Sequence, residues 1–224
     1  MKDPYINENG VLKNKLDIVD YDQLNIAEAD IGFLKLINVD SIDVSHFDMK
    51  LVQNIHKHIF EDIFDWAGEF RTVPIIKEEL VLPGYSIPYS EPKNIKQDLK
   101  NKLLELNSIA WQNMDTSEIA FMFARKMALI WKVHPFRDGN TRTILSFSFL
   151  YAKEHGFPFD IKTFTNELNR GIDLNGRVTS ISIRDKFVLA CLDESFSPEV
   201  EHLANVFERA INNYNKEDVS SKTK

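Results

Sequence analysis

Residues 115–154 read DTSEIAFMFARKMALIWKVHPFRDGNTRTILSFSFLYAKE, and this stretch decides the fold. Two apolar segments flank a short polar link. Asp115 with Glu118 forms a capping pattern for the first segment. Apolar residues through Trp131 then cover most of a helical circumference, so this helix is expected at the buried centre of the molecule. Pro135 disfavours helical backbone at His134, which should end the helix there. Asp138, Asn140 or Thr141 can cap the second helix, expected from Thr141 to Glu154.

Working outward, the same periodicity recurs. Asp20 with Gln23 opens a helix carrying Leu24, Ala27, Ile31 and Leu34. Asp48 caps another whose Leu51, Val52, Ile55, Ile59 and Ile63 share a face, with Gly68 placed to end it. Within it, His56-Lys57-His58 reads as a solvated face. Ser90-Glu91-Pro92 opens a third, with Ile95, Leu99 and Leu103 in register. At least two shorter helices follow His155-Gly156. The stretch from Arg71 to Ile87 departs from the pattern: β-branched clusters are interrupted by Pro74, Pro83 and Gly84, which excludes a central strand and suits an edge hairpin or surface loop. The expected fold class is all-α, a compact helical domain with one short β-hairpin. The polar run from Asn215 onward reads as a solvated tail.

Composition narrows the classes. With 224 residues, 43% hydrophobic and 16 Phe, the chain can bury a large core, which excludes wholesale disorder. A net charge of −7 argues against an extended nucleic-acid groove. Cys191, the one cysteine, can form no intrachain disulfide and no Cys-rich zinc site, and points to a reducing, cytoplasmic compartment. No apolar run reaches membrane-span length, and the sequence after Met1 is not a signal peptide.

The link at 134–143 carries the chemistry. A loop feeding a helix N-terminus offers free N–H groups and partial positive charge to an anion. Gly139 lets a phosphate oxygen approach the backbone, and Arg142 can neutralise further charge. Asp138 is a hard oxygen ligand suited to Mg²⁺, and His134 is a proton acceptor near neutral pH. Phe136 reads as the apolar peg of the loop. His134 with Asp138 alone lacks a third ligand for a mononuclear metal site.

These residues resemble the Fic (FIDO) family pattern His-x-Phe-x-[Asp/Glu]-Gly-Asn-x-Arg. Phe60 to Val73 is similar to the family's approach to its substrate-docking flap, and Tyr5 to Ile18 more weakly resembles its opening. The resemblance implies an N-terminal arm and helix at 1–40, a Fic domain at 41–214 and a flexible tail at 215–224. It implies transfer of AMP from ATP–Mg²⁺ to a Ser, Thr or Tyr hydroxyl of a target protein, releasing pyrophosphate. By position, His134 is the general base, Asp138 the Mg²⁺ ligand, and Arg137, Gly139, Asn140, Thr141 and Arg142 the nucleotide-binding set. Val73, Pro74, Ile75, Ile76 and Lys77 form the flap that registers the target. The family's second arginine falls at Leu145, as in Doc-like proteins linked to phosphoryl transfer, so a kinase or other phosphate-ester transferase stays open, as does a nucleotide-binding module without catalysis. The family's inhibitory string [Ser/Thr]-x-x-x-Glu-[Gly/Asn] is not completed at Glu167, Glu199 or Glu201. That suggests a separate small antitoxin-like inhibitor. Asn166, Asn169 and Arg170 lie near the adenine pocket by sequence proximity alone, and the oligomeric state is not indicated.

Overall fold

The computed structural model of the chain describes residues 3–172 and 178–222. Its helices are α1 (Tyr21–Ile37), α2 (Met49–Phe60), α3 (Ile95–Asn107), α4 (Thr116–Val133), α5 (Asn140–Glu154), α6 (Ile183–Ala190) and α7 (Glu201–Lys222). Three begin at the aspartates read as caps: Asp20, Asp48 and Asp115 accept from the N–H of Gln23, Leu51 and Glu118. At Asp115 the reciprocal bond from Glu118 completes the box, which satisfies two N–H groups the helix start would leave orphaned.

α4 is the central element, packed against α3, α5, α6 and α7, while α2 packs on α5 and α1. Phe123, Met127, Ile130 and Trp131 are fully buried, as their spacing around the helix predicts. Each such side chain contributes about 1.5–3 kcal/mol on leaving water. Two polar side chains in this core satisfy each other: Trp111 Nε1 donates to the Tyr151 hydroxyl at 3.1 Å, which donates to the Leu106 carbonyl at 3.1 Å. The N-terminal arm is tied down before α1, with Lys15 N–H on the Ile63 carbonyl at 2.8 Å.

The short hairpin lies elsewhere than the sequence suggests. The two paired strands are β1 (Gly171–Ile172) and β2 (Val178–Ser180). Residues 73–78 belong to no ladder among the described residues; Pro74 has no N–H to give one. Two boundaries also shift. α2 ends at Phe60, eight residues before Gly68, whose φ of +84° instead shapes the turns beyond the helix. α3 starts at Ile95, after turns at Pro92–Asn94. At the other end of the chain, α7 runs helical to Lys222.

Candidate active site

The link between α4 and α5 folds as two left-handed residues around a buried ring. His134 closes α4 at φ 50°, and Gly139 opens α5 at φ 75°. Between them Phe136 is fully buried and stacks on His56 at 3.8 Å. Asn140 clasps the loop from within: its Oδ1 accepts from Phe136 N–H and its Nδ2 donates to the Phe136 carbonyl, both at 2.9 Å. Gly139 is required by packing as well as by φ, since a Cβ there would sit 2.3 Å from the Phe60 ring. The result is a fixed helix start. The N–H groups of Asn140, Thr141 and Arg142 donate to no protein acceptor among the described residues. They border a cleft of about 1010 Å³ lined also by His134, Asp138, Lys77, Glu28 and Arg184.

His134 is the most unusual group in this cleft. It is 2% exposed, stacked under Tyr89 at 4.1 Å, and both ring nitrogens lack a hydrogen-bond partner among the described residues. Burial, then the charges of Lys77, Arg184 and Arg71, hold its pKa well below the ordinary 6.5, so the imidazole is neutral at physiological pH. Buried polar atoms without partners are rare and concentrate where function needs them. Beside it, burial pushes the Asp138 carboxyl up, but Lys77, Arg142, the Gly139 N–H and Arg137 prevail, and its pKa lies below the usual value. Asp138 is therefore a carboxylate, with Oδ1 on Gly139 N–H at 2.6 Å. Arg142 pairs with Glu28 of α1 at 2.6 Å and lies over the Phe60 ring at 4.5 Å. Burial and the nearby Asp138 raise the Glu28 pKa against the pull of Arg142.

The sequence-derived set separates in space. His134, Asp138, Gly139, Asn140, Thr141, Arg142 and Lys77 converge on the cleft. Arg137 does not: its guanidinium pairs with Asp3 of the N-terminal arm at 2.8 Å. The Thr141 hydroxyl accepts from Trp131 Nε1 at 3.0 Å. Val73, Pro74, Ile75 and Ile76 lie in an irregular segment outside the cleft, with Ile76 87% exposed. The N–H groups of Val73, Ile75, Ile76 and Lys77 have no protein acceptor among the described residues, leaving an open edge.

Two residues that organise this edge and loop escape a reading of sequence. Arg71, 2% exposed, donates Nε to the His134 carbonyl at 2.8 Å, Nη1 to Val73 O at 2.8 Å and Nη2 to Ser90 O, so it ties Val73 and Ser90 to the link between α4 and α5. His56 is not on a solvated face. It is fully buried, accepts Gly68 N–H on Nδ1 at 2.8 Å and therefore donates Nε2–H to the Asp138 carbonyl at 3.1 Å. The signal was present: His56 lies four residues after Val52 and three before Ile59, on the apolar face of α2.

A mostly helical domain whose helix start, arginines and neutral imidazole share one cleft has a site of the anion-binding type. Residues 46–152 of the chain match the Fic/DOC family. The chain is 30% identical to the protein adenylyltransferase VbhT of Bartonella schoenbuchensis over 70% of this chain and 32% of that protein. Thus it spans about a third of that relative's length. It is 27% identical to a Sinorhizobium fredii protein named "Probable protein adenylyltransferase y4lH", over 67% of this chain and 74% of that one. Among solved structures, the N-terminal FIC domain of Bep8 from Bartonella sp. 1-1C has a TM-score of 0.70 at 20% identity, covering 92% of this chain and 93% of that one. BepC of Bartonella tribocorum, solved with bound AMPPNP, gives 0.67 at 20% identity over 92% and 95%. At such identities these are likenesses of fold.

Proposed function

We propose that the cleft binds ATP and that the chain transfers AMP to a hydroxyl of a target protein, releasing pyrophosphate. The observation that carries this is the pairing of three open N–H groups at the start of α5 with a buried, neutral, unpartnered His134. The adenylyltransferase names of the relatives and the nucleotide bound to BepC support the choice of substrate.

In the proposed step His134 takes the proton of the target Ser, Thr or Tyr hydroxyl as its oxygen attacks the α-phosphorus. A new O–P bond forms, and the bond from the α-phosphorus to the bridging oxygen breaks, with pyrophosphate leaving. The α5 amides and Arg142 stabilise charge on the phosphate oxygens, the larger share of such catalysis. Gly139 and Asn140 hold the cradle in shape. The residues present fit a Mg²⁺ held largely by substrate: Asp138 offers one ionised carboxylate, with phosphate oxygens and water to complete the shell. Among the described residues no cluster of three or more His, Cys, Asp or Glu forms an all-protein metal cage. When bound, that ion would neutralise α- and β-phosphate charge.

The open edge at Val73–Lys77 supports main-chain registration of an extended target segment beside His134. Cytoplasmic action is supported by the buried free thiol of Cys191, and control by a separate small inhibitor protein by the incomplete strings at Glu167, Glu199 and Glu201. Purification of that inhibitor with the chain from the native cell is the expected outcome; a fully active chain that brings no partner would count against it.

Incubation of lysate with α- or γ-labelled ATP tests the reaction. AMP transfer labels protein from the α-phosphate alone and loses the label in His134→Ala. Label from the γ-phosphate alone would establish a kinase instead.

A further inference from the structure

The cleft holds a second arginine that the proposed chemistry does not use. Arg184, in the first turn of α6, lines it together with His134 and Arg142. Its guanidinium is gripped by Glu79, with Nη1 on Oε2 at 2.6 Å and Nη2 on Oε1 at 2.9 Å. Oε1 also accepts the Tyr89 hydroxyl at 2.8 Å. The Glu79 side chain is fully buried while that of Arg184 is 31% exposed.

Arg142 repeats this construction. Its side chain is 29% exposed and its partner Glu28 only 7%. In both, a buried carboxylate from an element far away in sequence fixes a guanidinium that still reaches the cleft. Arginine has five N–H donors, and Glu79 takes two of those on Arg184. The others have no acceptor among the described residues. A fork oriented in advance binds phosphate oxygens with less loss of side-chain freedom. Charge balance points the same way. Leu145, one turn after Arg142, is packed into the core and supplies no cation. Lys77 lines the same cleft and has no ion pair among the described residues.

We infer that Arg184, oriented by Glu79, is a binding residue for the phosphates beyond the α-phosphate of the nucleoside triphosphate. The inference rests on the ATP-binding function proposed above.

Calorimetric titration of the full chain with Mg-ATP and with AMP tests it. The paired variant Glu79→Gln with Arg184→Gln removes both charges together and strands no buried carboxylate. It is expected to bind ATP about tenfold more weakly or worse, the loss of one charge-assisted contact, while AMP affinity changes less than about twofold. Arg184→Lys keeps a cation against Glu79 but forfeits the fork, and a smaller loss confined to ATP is expected there, which carries the test if the paired variant does not fold. Equal losses for ATP and AMP, or unchanged ATP affinity, would overturn the inference and leave the proposed function standing. A wild-type chain that binds neither nucleotide would overturn both.

Discussion

His134 combines three properties that ordinary histidines do not share: left-handed backbone, burial, and two nitrogens without partners. Each is unfavourable for stability, and together they hold a neutral imidazole at the wall of the cleft. His134→Ala should lower AMP transfer by about 10²–10⁴ while leaving ATP affinity nearly unchanged, as steady-state rates and titration would reveal. Because the imidazole pKa is held well below 6.5, the acid limb of kcat/KM should fall below pH 6.5; a limb at or above that value would remove the basis for a depressed base. Gly139 answers to a different constraint. With φ +75° and Phe60 in the way, Gly139→Ala should destabilise the chain by about 1–3 kcal/mol, read as a lower Tm.

At the scale of elements, the segment after Arg71 has no ladder among the described residues, and the Arg71 guanidinium ties it to the link between α4 and α5. Arg71→Met would release the carbonyls of His134, Val73 and Ser90 together. We expect hydrogen exchange at residues 72–78 to accelerate, stability to drop by about 2 kcal/mol or more, and protein modification to fall further than ATP binding. Unchanged exchange there would mean that the segment is held by something else. The helices themselves were legible because their signals are local. Asp20, Asp48 and Asp115 each bond an N–H three residues on, and the apolar periodicity of α4 shows in any short window. The loop at 134–142 was legible for the same reason. What the sequence hid is long-range. Arg71 reaches 63 residues to His134, His56 reaches 82 to Asp138, and Glu28 reaches 114 to Arg142. A buried Arg or His and a solvated one look alike until the fold supplies the partner, and the apolar spacing around His56 was the one available hint.

Across the whole molecule, the core around α4 and the site share residues, so stability and function are linked through pH. Burial lowers the His56 pKa from 6.5 to about 3. The folded state thus favours the neutral ring. The stability this contributes is complete above pH 6.5 and is lost as pH falls toward 3, at about 1.4 kcal/mol per pH unit for each such histidine. His134 adds to the slope in the same direction. Urea unfolding at pH 7.5 and 5.5 should show this loss, and His56→Gln should make the chain less stable at pH 7.5 but less sensitive to acid. Equal pH slopes in the two proteins would show that His56 titrates alike folded and unfolded.

A crystal structure of the chain with a non-hydrolysable ATP analogue puts the central claim to the most direct test. The phosphates should lie on the N–H groups of Asn140, Thr141 and Arg142, with the α-phosphorus open to attack from the side of His134. Phosphates seated elsewhere, or a His134 still enclosed by Tyr89 with no path to the α-phosphorus, would contradict it.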